Sequence, residues 1–281
     1  MNAAARRSEL RTLALALLAS LLLWNLPFGG VLLYPFKLLA TWIHELSHGI
    51  AMIGAGVGLD RLDLFRDTSG MAHARGSAGP FGGAVIAAAG YMGTPLWGAA
   101  LLVIASTARA ARRALLVLAV MLVVTSIFVV GNAFGQYAMA ATGVAVALAA
   151  VLAPPRGRLA FAHFLAAQAC INALLDIRVL LRPTRFVDGV SLDESDASHM
   201  AQVTFGTTAD WAVWTWAAIW LVWSLLVLYA AIRINVWRVA RTGAPSARAT
   251  ASPPGGSDRD ARRRSPASAP GETAPSGPAD T

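Results

Sequence analysis

Apolar runs long enough to cross a bilayer recur along the chain, separated by short polar breaks. They cover residues 12–33, 38–58, 81–106, 114–130, 133–153, 159–181 and 211–236. A helix needs about 20 apolar residues to span the hydrocarbon core, and most of these runs qualify. The pattern predicts an all-α polytopic membrane protein with about six to seven transmembrane helices. Pro27 and Gly29-Gly30 interrupt the first run. The run at 81–106 holds Gly82, Gly83, Gly90, Gly93 and Gly98, small residues that let helix backbones approach closely. Asn132 and Gln136 mark the turn between the two runs that follow. Trp211, Trp214, Trp216, Trp220 and Trp223 crowd the last one, where interface anchoring and packing account for them.

Between the runs, residues 57–80 alternate weakly around Asp67-Thr68-Ser69-Gly70, which predicts a short β-hairpin directly after the second helix. Residues 182–209 are polar, with Asp188, Asp193, Glu194, Asp196 and His199. The segment 237–281 is basic and rich in Pro, Ala and Ser; it cannot bury a core and reads as a disordered tail. The expected organisation is an N-terminal segment 1–11, a membrane-embedded domain 12–236 and the tail. Arg6, Arg7 and Arg11 resemble the charged start of a signal peptide. No small-residue cleavage site follows the apolar core, so the first run reads as a retained span.

Composition agrees with a bilayer environment. Of 281 residues, 56% are hydrophobic and only 14% charged, with a mean hydropathy of +0.57. The net charge of +8 comes almost wholly from arginine, since Lys37 is the only lysine. The arginines fall in short loops and the tail, where they orient spans and meet anionic headgroups. They form no basic face with interleaved aromatics, which argues against a nucleic-acid partner. Arg109, Arg112, Arg113, Arg156, Arg158 and the tail favour one side as cytoplasmic; the N-terminal arginines favour the other. The lone Cys170 excludes an intrachain disulfide and a cysteine zinc cluster.

The chemistry sits in the second run, at His44-Glu45-Leu46-Ser47-His48. Two histidines four apart on a helix share one face, at the spacing of two ligands to a tetrahedral zinc. Glu45 is placed to take a proton from a metal-bound water. Three ionisable groups at membrane depth are costly, and such groups are functional candidates by default. A catalytic zinc takes three protein ligands and keeps a fourth position open, so a third ligand must come from elsewhere; aspartate is the natural candidate.

Here the chain resembles the site-2 protease family of intramembrane zinc metalloproteases, within it the compact bacterial branch lacking an inserted soluble domain. The resemblance rests on Tyr34-Pro35-Phe36 leading into His44-Glu45-Leu46-Ser47-His48-Gly49, on the hairpin, and on Gly90-Tyr91-Met92-Gly93. Asn172 to Asp176, and Ser195-Asp196-Ala197 before the last span, add to it. It implies Zn2+ held by His44, His48 and a distant aspartate, Glu45 as general base, and cleavage of membrane-protein substrates in or near their transmembrane segments. It also implies residence in the bacterial inner (plasma) membrane.

The familiar aspartate motif, Leu-Asp-Gly after an Asn and prolines, has no intact copy here. Asp196, Asp176 and Asp188 compete for the role. Asp176 would lie at the end of a span parallel to the His-Glu helix, at a different depth from His44. The 182–209 segment, in contrast, can fold back and deliver Asp196. Gln168, Asn172 and Asp176 are spaced i, i+4, i+8 and make one polar stripe, which gives Gln168 and Asn172 a supporting role. His73 reads as a hairpin surface residue, His163 as a helix-end residue, and His199 as a supporting or accidental neighbour of Asp196. The rival reading is a non-catalytic polytopic protein, a metal-binding scaffold or transporter with a silent zinc site. A transporter would show several ligand clusters or repeated halves, and the sequence shows one cluster and no repeat.

Overall fold

In the computed structural model the His-Glu motif lies in helix α1, Gly29–Gly54, rather than in a span beginning at residue 38. Residues 18–25 are helical, and the chain turns at 26–28. The break between the first two apolar runs therefore falls at Leu26-Pro27-Phe28 and not around Tyr34-Pro35. A β-carbon at Gly29 would collide with the Leu23 carbonyl, so the turn depends on a glycine there. Pro35 is absorbed inside α1, where neighbouring helices compensate a lost backbone bond. Lys37 needs no loop, because its ammonium lies 4.5 Å from the centre of the Trp24 ring. The structure describes residues 18–180 and 195–243, together with Arg11, Ala14, Leu15 and the pairs 186–187 and 190–191. The tail beyond 243 and Asp188 lie outside the described residues.

A hairpin follows α1, with β1 at Leu59–Leu64 and β2 at Gly70–Ala74. The strands are antiparallel, with Leu62 opposite Ala72 and Leu64 opposite Gly70. Ser69 closes the turn, its backbone N–H and hydroxyl both donating to Asp67 at 3.0 and 2.7 Å. These two bonds hold the Asp67 carboxyl below its ordinary range. Thr68 takes a positive φ of 72° and is fixed by its carbonyl, which accepts from the Thr41 hydroxyl at 2.6 Å. Tyr34 likewise donates to the Arg66 carbonyl at 2.8 Å, so the turn is pinned to α1.

Five further helices complete the bundle: α2 Pro80–Ile104, α3 Ala108–Phe128, α4 Ala133–Leu152, α5 Pro155–Leu180 and α7 Asp210–Gly243. These five are long and apolar enough to cross a membrane. A minor strand pair, β3 Phe186–Val187 with β4 Val190–Ser191, and the short helix α6 Asp196–Phe205 separate α5 from α7. The last helix continues to Gly243, past the expected end of the membrane domain at 236. Val117, Val120, Phe128, Leu225, Leu226 and Tyr229 are exposed, which suits lipid-facing surfaces. The protein is an all-α polytopic integral membrane protein.

The connection between α3 and α4 does more than turn. Leu62 donates to the Val129 carbonyl at 2.9 Å, and Gly131 donates to the Leu62 carbonyl at 2.8 Å. Asn132 then grips Leu64, accepting from its N–H at 3.1 Å and donating to its carbonyl at 2.6 Å. The outer edge of β1 is thus occupied, and the outer edge of β2 faces α1. Leu62 and Leu64 are fully buried, and Leu64 joins Leu38, Leu39, Trp42 and Ile43 of α1 and Leu115 and Leu122 of α3 in the core. Trp220 is fully buried, and Trp223 and Trp216 bond Met92 and Thr204, so packing outweighs interface anchoring for these three.

Candidate metal centre

His44 and His48 lie one turn apart on the face of α1 that meets α2, their rings 4.8 Å apart. The α2 helix has Gly90 at the crossing. A β-carbon there would collide with Nε2 of both histidines, so only glycine leaves room for them. The Nδ1 atom of His48 is 2.6 Å from the Ile86 carbonyl. A carbonyl can only accept, so Nδ1 carries the proton and Nε2 turns a lone pair toward the centre.

Asp196 closes the group. It is the first residue of α6, preceded by the N-cap Ser195, whose side chain accepts from Ser198 N–H. Ala197 and Ala201 are fully buried against Ala87, Ala212 and Trp220, which seats α6 between α2 and α7. Its Oδ2 lies 3.2 Å from His44 Nε2 and 3.1 Å from His48 Nε2. The three donor atoms fall within 4.8 Å of one another.

This donor set fits a metal ion. A carboxylate oxygen and an unprotonated imidazole nitrogen repel at 3.1 Å unless a proton or a cation lies between them. Donors on a tetrahedral zinc stand roughly 3.3 Å apart, close to the two spacings observed. Two nitrogens and one oxygen are also the ligand types of catalytic zinc sites that keep an open position.

A family model described as Peptidase M50B-like matches residues 13–231. The chain belongs to this family. No curated protein and no solved structure gave a match. Membership makes the M50B-like chain a metallopeptidase by family, and among the described residues the two histidines with Asp196 form a group that could hold a metal ion.

Glu45 of this M50B-like chain is buried beside the cluster. Its carboxylate lies against β2, where a β-carbon on Gly70 would stand 3.1 Å from Oε1. A cavity of about 200 Å³ opens next to the site, lined by Thr41, His44, Thr68, Tyr91 and Asp176. Asp176 therefore borders the approach to the centre and is not one of the three converging donors. Tyr91 stands edge-on to His44 at 4.8 Å and stacks flat on Trp220 at 4.6 Å, which braces the imidazole from the α7 side.

Gln168 and Asn172 are buried, as a polar stripe requires, and their hydrogen bonds run within the stripe and to Ser20 and Trp24. Gln168 accepts from Trp24 Nε1 and donates to Ser20, both at 3.3 Å, while Asn172 donates to the Gln168 carbonyl at 2.8 Å. Among the described residues, no hydrogen bond joins either to the donor cluster. His73 pairs with Asp63 at 2.8 Å, and His163 is buried with Nε2 3.1 Å from the Ala105 carbonyl. His199 is exposed and stands outside the cluster. Gly90 and Tyr91 entered the sequence reading through the Gly90-Tyr91-Met92-Gly93 element, without an individual role at the site; Ala72 carried no sequence signal.

Proposed function

We propose that the protein is an intramembrane zinc metalloprotease of the bacterial inner membrane, hydrolysing peptide bonds in or near transmembrane segments of membrane-protein substrates. The observation that carries this reading is the convergence of His44, His48 and Asp196 with Glu45 one residue from the first ligand. A zinc ion held by these three residues would polarise the scissile carbonyl and make a water acidic enough to attack near neutral pH. Glu45 takes that water's proton and returns it to the leaving amine. Asp196 and the two imidazoles supply the metal's fixed ligands, and the Ile86 bond keeps His48 in the ligating tautomer. The cavity at Thr41, Thr68 and Asp176 offers water the polar partners it needs at this depth.

A transmembrane helix hides its carbonyls, so the substrate must unwind before cleavage. The β2 edge is suited to receive it. Leu62 spends its N–H and carbonyl on the α3–α4 connection, away from β2. Its antiparallel partner Ala72 must then turn its own groups outward, toward Glu45. An unwound segment adding as a strand along Gly70–Ala74 would lie beside the catalytic carboxylate.

The test is Glu45→Gln beside the wild type. Detergent-purified wild type should hold one zinc per chain by elemental analysis. The variant should hold the same amount and lose cleavage by about 10²–10⁴-fold, so that uncut membrane proteins accumulate in cells. Wild type without zinc would overturn the reading. Zinc with identical membrane proteomes in the two strains would leave a metal-binding scaffold or transporter.

A further inference from the structure

The opposite face of α1 borders a second cavity, of about 280 Å³, which the proteolytic site does not use. It lies between α1, α2, α3 and α5, with Trp42, Ile43, Trp97, Leu101 and Met121 among its lining. Every lining side chain is apolar except Arg113. The indole N–H of Trp42 is already committed to Thr125 at 3.0 Å, so the slot offers an occupant almost no hydrogen bonds. Its preference is for hydrocarbon.

Arg113 changes what kind of hydrocarbon. It lies on the same face of α3 as Val117 and Met121, which line the slot at i+4 and i+8. Arg109 is one turn earlier on that face, and Arg112 stands beside them; all three are exposed. Among the described residues, none of the three forms a salt bridge. Arg238 bonds the Val103 carbonyl and His163 approaches that of Ala105, so the starts of α3 and α5 and the end of α7 share one end of the bundle. That end carries Arg109, Arg112, Arg113, Arg156, Arg158 and Arg238. The described carboxylates lie instead on the hairpin, around the metal centre and at the start of α7.

We infer that this slot with Arg109 and Arg113 is a binding site for an anionic glycerophospholipid, one acyl chain in the cavity and the phosphate on the two guanidiniums. Arginines at a membrane surface attract anionic headgroups, and a guanidinium matches a phosphate with paired donors. Charge argues against a substrate helix as occupant: exposed Arg109 and Arg113, which form no salt bridge among the described residues, offer an anionic headgroup the partner that an apolar helix lacks. A lipid seated here would press on Leu39, Trp42 and Ile43, the back of the helix that presents His44 and His48.

The experiment is native mass spectrometry of the full chain in mild detergent, titrated with phosphatidylglycerol or phosphatidylcholine of matched acyl chains. Wild type should retain one phosphatidylglycerol on the order of 10-fold more tightly than phosphatidylcholine. Arg109→Gln with Arg113→Gln should bring the two lipids within about twofold, whereas Lys at both positions should restore most of the preference. Val117→Trp should fill the slot and abolish retention of both lipids. Arg156→Gln should change nothing, and unaltered zinc content checks that each variant is folded. Equal retention of the two lipids by wild type would overturn the proposal. So would an unchanged preference in the double Gln variant, or lipid retention that survives Val117→Trp while cleavage is lost, which would mark the slot as a substrate groove.

Discussion

Gly90 lies against His44 so closely that the histidine's Nε2 occupies the place where a β-carbon would stand. The same missing β-carbon makes room for His48. Gly90→Ala should therefore displace both imidazoles and weaken metal binding by 10-fold or more, the scale seen when a ligand's support is lost (about 10–100-fold). In an ordinary helix this change is favourable by about 0.5–1 kcal/mol, so a loss cannot be blamed on helix propensity. Gly54→Ala meets nothing within 4 Å and serves as the control. Zinc per chain after dialysis, measured for both variants, decides it.

The two aspartates separate in the same assay. Asp196 touches both imidazoles, and Asp196→Ala should empty the site on dialysis against a weak chelator. Asp176 borders the cavity beside His44. Its replacement by Ala should leave zinc stoichiometry unchanged while turnover falls. If Asp176→Ala empties the site and Asp196→Ala does not, the ligand assignment is reversed.

What could be read from the sequence follows the range of the interactions involved. The His44/His48 pair and the hairpin are local patterns, set by a helical turn and by a four-residue turn signal. Asp196 was reachable by a depth argument, because a segment between spans can fold back where a span end cannot. The stripe of Gln168 and Asn172 shows the limit. Periodicity tells which side chains share a face, but not that Ser20 and Trp24 would meet it. Pro27 and Gly29-Gly30 mark the break at residues 26–28, but a proline alone does not separate a helix end from a kink within a span: Pro35 is retained inside α1. Gly90 stands in the Gly90-Tyr91-Met92-Gly93 element, but only the position of α1 shows what its missing β-carbon makes room for.

Asn132 tests whether the hairpin depends on the α3–α4 connection. Removing its amide in Asn132→Ala leaves the N–H and carbonyl of fully buried Leu64 without these partners. Each stranded group costs about 1–3 kcal/mol, so the melting temperature should fall and the 65–69 turn should become a protease-sensitive site. Asn132→Asp should be no better, since a carboxylate keeps the acceptor but repels the Leu64 carbonyl. A melting temperature unchanged in both variants would show that the third-strand contacts of Leu62 suffice.

Gly70 offers a way to damage proton transfer without touching the metal. A β-carbon at this position would stand 2.7 Å from Glu45 Cγ and from Thr41 Cγ2, and 3.1 Å from Glu45 Oε1. Valine favours strands, so Gly70→Val should keep β2 and push the Glu45 carboxylate out of line. His44, His48 and Asp196 are untouched, so zinc should remain at one per chain. Turnover should drop by about 10²-fold or more, approaching the loss in Glu45→Gln. Groups that act as one unit lose activity non-additively. The double variant Gly70→Val with Glu45→Gln should therefore be no slower than Glu45→Gln alone. Additive losses would instead place the Gly70 effect in substrate docking along the β2 edge, acting through binding and raising KM rather than lowering kcat.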